Sequence, residues 1–400
     1  MAWNWAWKRS RRNGAARLPA DARRELKMAS GFVALHVERG ASWIARDYTT
    51  LAREGFMRNP VAHRCVRLIA DAASSVPWLL YEGVTEHETH PLLELVACPQ
   101  SGLDGSSFLE RLYGHWLISG NAYVERVDLP SGRIELHLLK PERVSVETDV
   151  NGWPQALVYR SGASVRRIAT GTERAPGLHL KLFHPLDDLY GFAPLEAALM
   201  ALDTHNAAGA WNKALLDNSA RPSGALVYAP KDGGNLTEEQ FERLKAELEE
   251  GYTGAAGAGR PLLLEGGLDW KAMGYSPQDM DFIEAKNGAA RDIALAFGVP
   301  PMLLGIPGDN TYANYAEANR AFYRLTVLPL MGRMTRAFSN WLGPLFGDNL
   351  RLDYDADRIE GLSVEREALW QRVSDAPFLT DDEKREAVGY QPHIKGRRVS

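Results

Sequence analysis

The chain has 400 residues, of which 45% are hydrophobic and 24% are charged. This length allows two or three domains with a sizeable core, and the composition excludes a collagen, a wholly disordered chain and a disulfide scaffold. The two cysteines, Cys65 and Cys98, are too few for a cysteine-built zinc module or an iron–sulfur cluster, whereas one disulfide stays open. No apolar run reaches the ~20 residues that a transmembrane helix needs.

The net charge of −5 is unevenly distributed along the chain. Residues 1–27 hold eight basic side chains against two acidic ones, a net of +6, which leaves 38 basic and 49 acidic side chains, or −11, for the remainder. This basic N-terminal arm contains Trp3, Trp5 and Trp7 but lacks the apolar stretch of a signal peptide. Its composition is typical of a disordered, solvated terminus, and it also suits a membrane surface or nucleic acid.

The first ~190 residues predict an α+β region because helical spacing gives way to short alternating runs. An amphipathic helix is predicted to begin at Asn59 and to end before Pro77, and a second runs from Phe108 to Ser119, where Gly120 closes it. Two hairpins follow, with predicted strands at 122–127 and 134–138, then at 144–146 and 156–159.

Three long helices are predicted in the second half of the chain, at 195–218, 276–297 and 314–342. Pro194 suits the first turn of the first helix, Gly298 closes the second, and Pro329 predicts a kink in the third. A β-α-β-β insert is predicted between the first two helices, at 222–273. A strand at 350–354 and two short helices, 364–374 and 380–388, complete the predicted elements.

Motifs that carry chemistry are missing from the sequence. It contains no phosphate-binding Gly-x-x-x-x-Gly-Lys-Ser/Thr loop, no Gly-x-Ser-x-Gly and no His-Glu-x-x-His. His87 and His90 favour a polar turn over a metal site, and the acidic run 353–357 departs from a calcium loop at Arg358. His184 has no nucleophile or second base tied to it by spacing. We therefore expect no enzymatic activity, metal, cofactor or small-molecule substrate.

Four segments, in the same order along the chain, carry a family resemblance. They are Asn-Pro-Val-Ala-His-Arg-Cys-Val-Arg-Leu-Ile-Ala at 59–70, Ser-Gly-Asn-Ala-Tyr at 119–123, Leu-Tyr-Gly-Phe-Ala-Pro-Leu at 189–195, and Ala-Phe-Gly-Val-Pro-Pro-Met-Leu-Leu-Gly at 296–305 followed by Thr-Tyr-Ala-Asn at 311–314. Together they resemble the portal proteins of long-tailed bacteriophages, including prophage and gene-transfer-agent versions. The resemblance runs from about residue 40 to residue 390.

The resemblance implies an α+β, portal-type subunit whose parts are called wing, stem, clip and crown. Carried over to this sequence, the parts are a basic arm at 1–39, the wing at 40–193, stem helices at 194–221 and 275–303, the clip at 222–274, a tunnel loop at 304–312, a kinked helix with a returning wing strand at 313–356, and a crown and tail at 357–400. Because this crown is short, a long helical barrel above the channel is not expected.

The resemblance also implies a function as a head–tail connector. Copies, usually twelve, form a ring at one capsid vertex of a virion or phage-like particle assembled in the bacterial cytoplasm, and double-stranded DNA enters and leaves through the channel. The implied partners are the major capsid protein, the terminase motor and head–tail adaptor proteins. The alternative is a membrane- or nucleic-acid-associated scaffold protein that uses the basic arm.

The candidate functional residues follow from these assignments. The tunnel loop would use Gly305, Gly308, Asp309, Asn310, Thr311 and Tyr312. The clip would contact its partners through Glu238, Glu239 and Glu242. Few cations would face the channel, with Lys286 and Arg291 as candidates, because many lysines or arginines on phosphates would hold DNA instead of letting it slide.

Overall fold

The structure is a computed structural model that describes residues 47–217, 224–228, 268–272, 282–307 and 312–390, together with positions 237, 239, 242 and 243. Its helices are α1 Tyr48–Thr50, α2 Pro60–Ser74, α3 Pro91–Ala97, α4 Gly105–Ser119, α5 Pro194–Ala197, α6 Leu199–Asp217, α7 Phe282–Phe297, α8 Tyr312–Phe322, α9 Leu328–Phe346, α10 Ser363–Ser374 and α11 Asp381–Ala387. Two π-helices, Leu51–Met57 and Tyr323–Val327, precede α2 and α9.

The strands form small antiparallel sheets. They are β1 Trp78–Glu82, β2 Thr85–His87, β3 Asn121–Asp128, β4 Ile134–Leu139, β5 Val144–Thr148, β6 Pro154–Ser161, β7 Ser164–Ala169, β8 Gly177–Lys181, β9 Gly224–Tyr228, β10 Leu268–Ala272 and β11 Leu350–Tyr354. Three three-stranded sheets have the orders β11-β1-β2, β4-β3-β8 and β5-β6-β7, and β9 pairs with β10. Both predicted hairpins are thereby confirmed. In the first sheet Trp78 lies opposite Tyr354, so the chain after α9 returns to a strand near its beginning.

Side-chain caps explain where the two early helices begin. Asn59 Oδ1 accepts hydrogen bonds from the backbone N–H groups of Val61 and Ala62, and Pro60 occupies the first turn of α2. Asp104 caps α4 in the same way, so this helix begins three residues before the predicted Phe108. Both predicted helices are confirmed.

The main core joins the early helices to the late ones. α2 packs against α4 over β3, and Phe108, Tyr113 and Trp116 of α4 are fully buried there. Met331 and Phe338 of α9 enter the same cluster. Each of these large apolar side chains contributes about 1.5–3 kcal/mol when fully buried. A second, smaller cluster of Tyr123, Leu139, Leu157 and Ile168 joins the sheet of β3 to the sheet of β6.

The helix predicted at 195–218 is wrong in one respect, because the structure divides it. Pro194 opens the four-residue α5 as predicted, but Ala198 has φ −92° and ψ 5°, outside the helical region, and α6 begins at Leu199. Alanine is the best helix former, so the sequence gives no indication of this break. Leu195, which precedes it, is fully buried.

The kink predicted at Pro329 takes the form of a π-helix. The N–H of Leu328 bonds to the carbonyl of Tyr323, five residues earlier, instead of the usual four. Pro329 has no N–H with which to continue the α-helical ladder to Leu325, which favours the wider turn immediately before it. The segment predicted at 314–342 is therefore α8, a π-turn and α9 in succession.

Candidate channel and assembly site

The two long helices on either side of the insert, α6 and α7, pack against each other. Their contact buries Leu202 and Ala208 of α6 and Ala290 and Ile293 of α7. Alanine-rich helices permit this close approach because their side chains are small. These are the two segments that sequence analysis assigned to the stem.

Residues 197–204 and 285–296 line an open apolar groove of about 540 Å³, and most of the lining residues are alanine or glycine. Met200 and Leu295 stand at its edges and are 72% and 78% exposed. Exposed apolar surface of this kind is typical of a contact with another protein chain.

The candidate cations lie on α7 in different surroundings. Lys286 is half-buried beside His205 of α6; burial lowers the pKa of this histidine, and the Lys286 charge lowers it further. Arg291 is exposed, and its Nη2 donates a hydrogen bond to the carbonyl of Pro307. Arg291 thus ties α7 to the segment that sequence analysis assigned to the tunnel loop.

A buried polar cluster that sequence analysis did not identify joins α6 to the start of α2. Asn59 is fully buried, and its Nδ2 donates to Asn206 Oδ1 at 3.0 Å and lies 3.1 Å from His205 Nδ1. Asn206 Nδ2 in turn donates to the carbonyl of Glu54 at 3.0 Å. The sequence predicts a helix that begins at Asn59, but the buried hydrogen bonds of this residue join it to positions 146 and 147 residues away.

The first part of the predicted tunnel loop is a tight turn. Pro301–Leu304 form a single 3-10 turn, which Gly305 ends in the left-handed region at φ +71°. Tyr312 is the first residue of α8. The remaining candidates, Gly308, Asp309, Asn310 and Thr311, lie outside the described residues.

The end of α7 is held against the π-helix Tyr323–Val327. Gly298 closes α7 at φ +66°, as predicted, and Thr326 Oγ1 donates to its carbonyl at 2.6 Å. A Cβ atom on Gly298 would lie only 2.8 Å from Thr326 Oγ1. The family motif around Gly298 therefore places α7 and the kinked helix in direct contact.

The predicted clip is described only in part. β9 and β10 are antiparallel, with Leu226 opposite Trp270. Glu239 and Glu242 occupy helical positions and are exposed. Glu238 and residues 244–267 of the predicted insert lie outside the described residues, so the β-α-β-β order stays a prediction.

Two of the sequence motifs contact each other in space. A Cβ atom on Gly191 would lie 2.2 Å from the carbonyl oxygen of Gly120, so only glycine allows this approach. Asn121 holds the contact: its Oδ1 accepts from the N–H of Gly191 at 2.8 Å, and its Nδ2 donates to the carbonyls of Ser119 and Gly191. These motif residues therefore have a packing role.

Among the residues that the structure describes, no group of three His, Cys, Asp or Glu side chains could hold a metal ion. His184 Nδ1 accepts a hydrogen bond from the N–H of Leu186 at 3.0 Å. No helix in the described ranges is both long and apolar enough to cross a bilayer.

Comparisons with known proteins agree with the architecture. A sequence profile of the family described as Phage portal protein matches residues 60–389. A chain from the neck of an empty gene transfer agent particle, computed with C6 symmetry, is 50% identical; the match covers 89% of this chain and 98% of that one, with a TM-score of 0.70. A chain from the neck of the native particle, computed with C12 symmetry, is 49% identical over 92% and 99% of the two chains, with a TM-score of 0.67.

The sequence is also similar to a phage portal protein. The portal protein of Enterobacteria phage HK97 is 24% identical over 347 residues, which are 82% of this chain and 78% of the phage protein. The profile match begins at the first residue of α2 and ends two residues after α11. It thus includes every described sheet, both long packed helices and the kinked helix. The chain belongs to the phage portal protein family.

Proposed function

We propose that twelve copies of this chain form a ring at one capsid vertex and that double-stranded DNA passes through the channel of the ring. Nearly half of the residues are identical to those of a neck chain computed with C12 symmetry, over almost the whole length of both chains, and this similarity carries the proposal. The groove along α6 and α7 supports it, because copies placed around a rotation axis meet along their sides.

Particle symmetry is the experiment that tests the ring. The full-length chain would be purified, its mass measured by mass photometry, and its particles classified by electron microscopy without imposed symmetry. The proposal expects a mass of about twelve chains and a ring with a central hole. A compact monomer at every concentration used would contradict it.

An acidic body suits a channel through which DNA must slide. The chain without residues 1–27 carries a net charge of −11, so phosphates meet few fixed cations. We expect single changes of Lys286→Gln and Arg291→Gln to leave DNA packaging within about twofold of the unchanged protein, with Glu284→Gln on the same helix as the control. Complete loss of packaging in stable Lys286→Gln rings would contradict low-friction passage.

The tunnel loop at 304–312 would form a moving constriction, in which Gly305 and Gly308 supply backbone freedom and Asp309, Asn310 and Thr311 supply weak polar contact. A photo-crosslinker attached to Asp309→Cys would test this in packaged particles. The exposed Cys98 is first changed to serine, and Asp149→Cys, on the turn between β5 and β6, is the control. DNA adducts are expected only at position 309, and their absence would count against the loop.

The glutamate-rich clip helix would contact the terminase motor during filling and the adaptor proteins afterwards. Reversing the charges of Glu238, Glu239 and Glu242 to lysine should weaken both associations in pull-down experiments. Reversal of Glu367, which is exposed on α10, is the control. Unchanged association of both partners would refute the assignment.

The remaining parts of the proposal concern location. Rings would contact the major capsid protein and would be assembled in the bacterial cytoplasm before they become part of a virion or a gene-transfer particle. The neck and virion origin of the similar chains supports this location. Family membership favours the portal function over a membrane- or nucleic-acid-associated scaffold.

A further inference from the structure

A polar pocket of about 320 Å³ lies between the π-helix at 51–57, the start of β3 and the loop that leads to α5. A space of this size exceeds what a single water molecule needs. The side chains that matter for its chemistry are Tyr48, Tyr123, His184, Asp187, Tyr190 and Glu196. No role assigned above uses the pocket.

The pocket walls are fixed by hydrogen bonds, so the shape exists before anything binds. His179 stacks on Tyr123 with 4.5 Å between ring centroids and donates from Nε2 to Asn121 Oδ1 at 3.0 Å. Burial lowers the pKa of His179 to about 3, which keeps this ring neutral. Asn121 also holds Gly191, and the wall therefore continues from β3 into the loop.

One phenol in the pocket lacks a partner. Tyr48 Oη is 2.9 Å from His115 Nδ1, and Tyr190 Oη accepts from the N–H of Val146 at 3.0 Å. Tyr123 is only 2% exposed, yet its hydroxyl has no hydrogen-bond partner among the described residues. The hydroxyl is not among the fully enclosed unpartnered atoms of the described residues, so it is open to the pocket and can bond a ligand group there.

The charge of the pocket selects the ligand. Asp187 Oδ1 accepts from the N–H groups of Leu189 and Tyr190, and Glu196 Oε1 accepts from the N–H of Ala193, so each carboxylate keeps a second oxygen free of these bonds. The nearby Lys181 donates to the carbonyl of Asp188 and does not line the pocket. Two carboxylates and three phenols thus face one space without a lining lysine or arginine.

The surroundings of the pocket indicate a protein ligand. Phe183 and Leu186 are 82% and 91% exposed and alternate along the chain with the lining residues His184 and Asp187. Large exposed apolar side chains beside a polar pocket are typical of protein contacts. A planar guanidinium can bind carboxylates through paired N–H groups and stack on phenol rings, which a compact ammonium does less well.

We propose that this pocket binds the guanidinium group of an arginine carried by another protein chain, with Asp187 and Glu196 neutralising its charge and the Tyr123 hydroxyl accepting one of its N–H groups. The inference stands on the pocket alone and does not require the ring.

The test uses N-acetyl-arginine amide as the probe and ligand-observed NMR on the full-length protein. We expect millimolar binding, and binding at least about tenfold weaker for N-acetyl-citrulline amide, which is similar in shape but uncharged. Asp187→Asn and Glu196→Gln keep their backbone contacts but should each weaken the arginine probe about fivefold, and Tyr123→Phe about threefold. Asp188→Asn, a control at the exposed residue next to Asp187, should leave the affinity for the arginine probe unchanged.

Equal affinity for the two probes, or undiminished binding to both carboxylate variants, would overturn the proposal. Melting curves establish that each variant is folded, and electron microscopy reports ring formation separately, so failure of the pocket and failure of the portal function are distinguishable. Probe binding that disappears on ring formation supports the proposal and assigns the arginine to a neighbouring copy. Binding that persists in the ring supports it and assigns the arginine to another protein of the particle.

Discussion

Two partly buried histidines, His115 and His179, are the titratable residues with the clearest consequence for stability. Burial lowers the pKa of His115 to about 4 and that of His179 to about 3. Each ring makes one polar contact, His115 with Tyr48 and His179 with Asn121, and burial disfavours the charged form of both rings. As the pH falls, these two histidines therefore lower the free energy of unfolding before most carboxylates are protonated.

The sign of this pH effect follows from proton linkage. An unfolded chain protonates its histidines near pH 6.5, whereas the folded chain does so only near pH 4 or below, so the unfolded state binds more protons in between. We expect the free energy of unfolding to fall as the pH drops from about 6.5 to about 4, by about 1.4 kcal/mol per pH unit for each histidine.

A substitution at His115 separates this effect from general acid sensitivity. His115→Gln keeps a polar partner for Tyr48 but cannot be protonated, so the slope of stability against pH should become shallower by about 1.4 kcal/mol per pH unit between pH 6 and pH 4.5. Urea unfolding at several pH values measures this slope. Comparison at pH 8, where both side chains are neutral, gives the baseline, and an unchanged slope would disprove the linkage.

At the scale of elements, the contact between the end of α7 and the π-helix allows a matched pair of glycine substitutions. Gly298 and Gly305 both have left-handed backbones, at φ +66° and +71°. A Cβ atom at Gly298 meets Thr326, whereas a Cβ atom at Gly305 meets nothing within 4 Å. The two positions therefore differ in packing but not in backbone conformation.

We expect Gly305→Ala to lower stability by about 1 kcal/mol through backbone strain alone, and Gly298→Ala to lower it by about 2–4 kcal/mol. Thr326→Ala should recover part of the second loss, because it removes the atom that the new methyl group meets. Thermal unfolding of the four proteins would measure these differences. Equal losses at both glycines would show that the contact with Thr326 carries no strain.

The sequence predicted elements better than their junctions. Asn59, Gly120 and Gly298 act on their own neighbours, so α2, the end of α4 and the end of α7 were predicted where they lie. The division of the first long helix at Ala198 had no local indication, since alanine normally continues a helix. Pro329 predicted an irregularity in the third long helix, but a proline alone does not indicate whether that irregularity is a bend or a π-turn.

The candidate sites divide in the same way. Lys286 and Arg291 were predicted to lie on one helix, and they do, but the partner of Arg291 is the carbonyl of Pro307, which no pattern could indicate. The arginine pocket brings Tyr48, Tyr123 and Glu196 together from segments up to 148 residues apart, numbered 48 to 196 in the chain. Periodicity records one helix or strand at a time, so it cannot reveal such a convergence.

For the whole molecule, charge separates the arm from the body. Deleting residues 1–27 removes eight basic and two acidic side chains and leaves a chain with a net charge of −11. Because each phosphate contact steepens the salt dependence of DNA binding by about 0.9 in the logarithmic slope, the deletion should weaken nonspecific DNA binding and flatten this slope. Filter binding across a salt series measures both quantities.

A chain in which the eight basic residues of the arm are changed to glutamine, with Trp3, Trp5 and Trp7 retained, separates charge from aromatic contact. It should behave like the deletion if phosphates are the partner. DNA binding that is the same for the intact, deleted and substituted chains would show that the arm does not contact DNA.

The π-turn before Pro329 changes the directions in which the side chains of α8 and α9 point around the helix axis. It adds a residue to one turn, so the side chains of α8 and α9 are out of phase by about 100° around the helix. On α8 Tyr315 is 51% exposed, whereas Met331 and Met334 of α9 are fully buried. Loss of a single residue at 323–327 would bring the two halves back into phase and rotate the side chains of one half by about 100° relative to those of the other, so the length of this segment matters more than its composition.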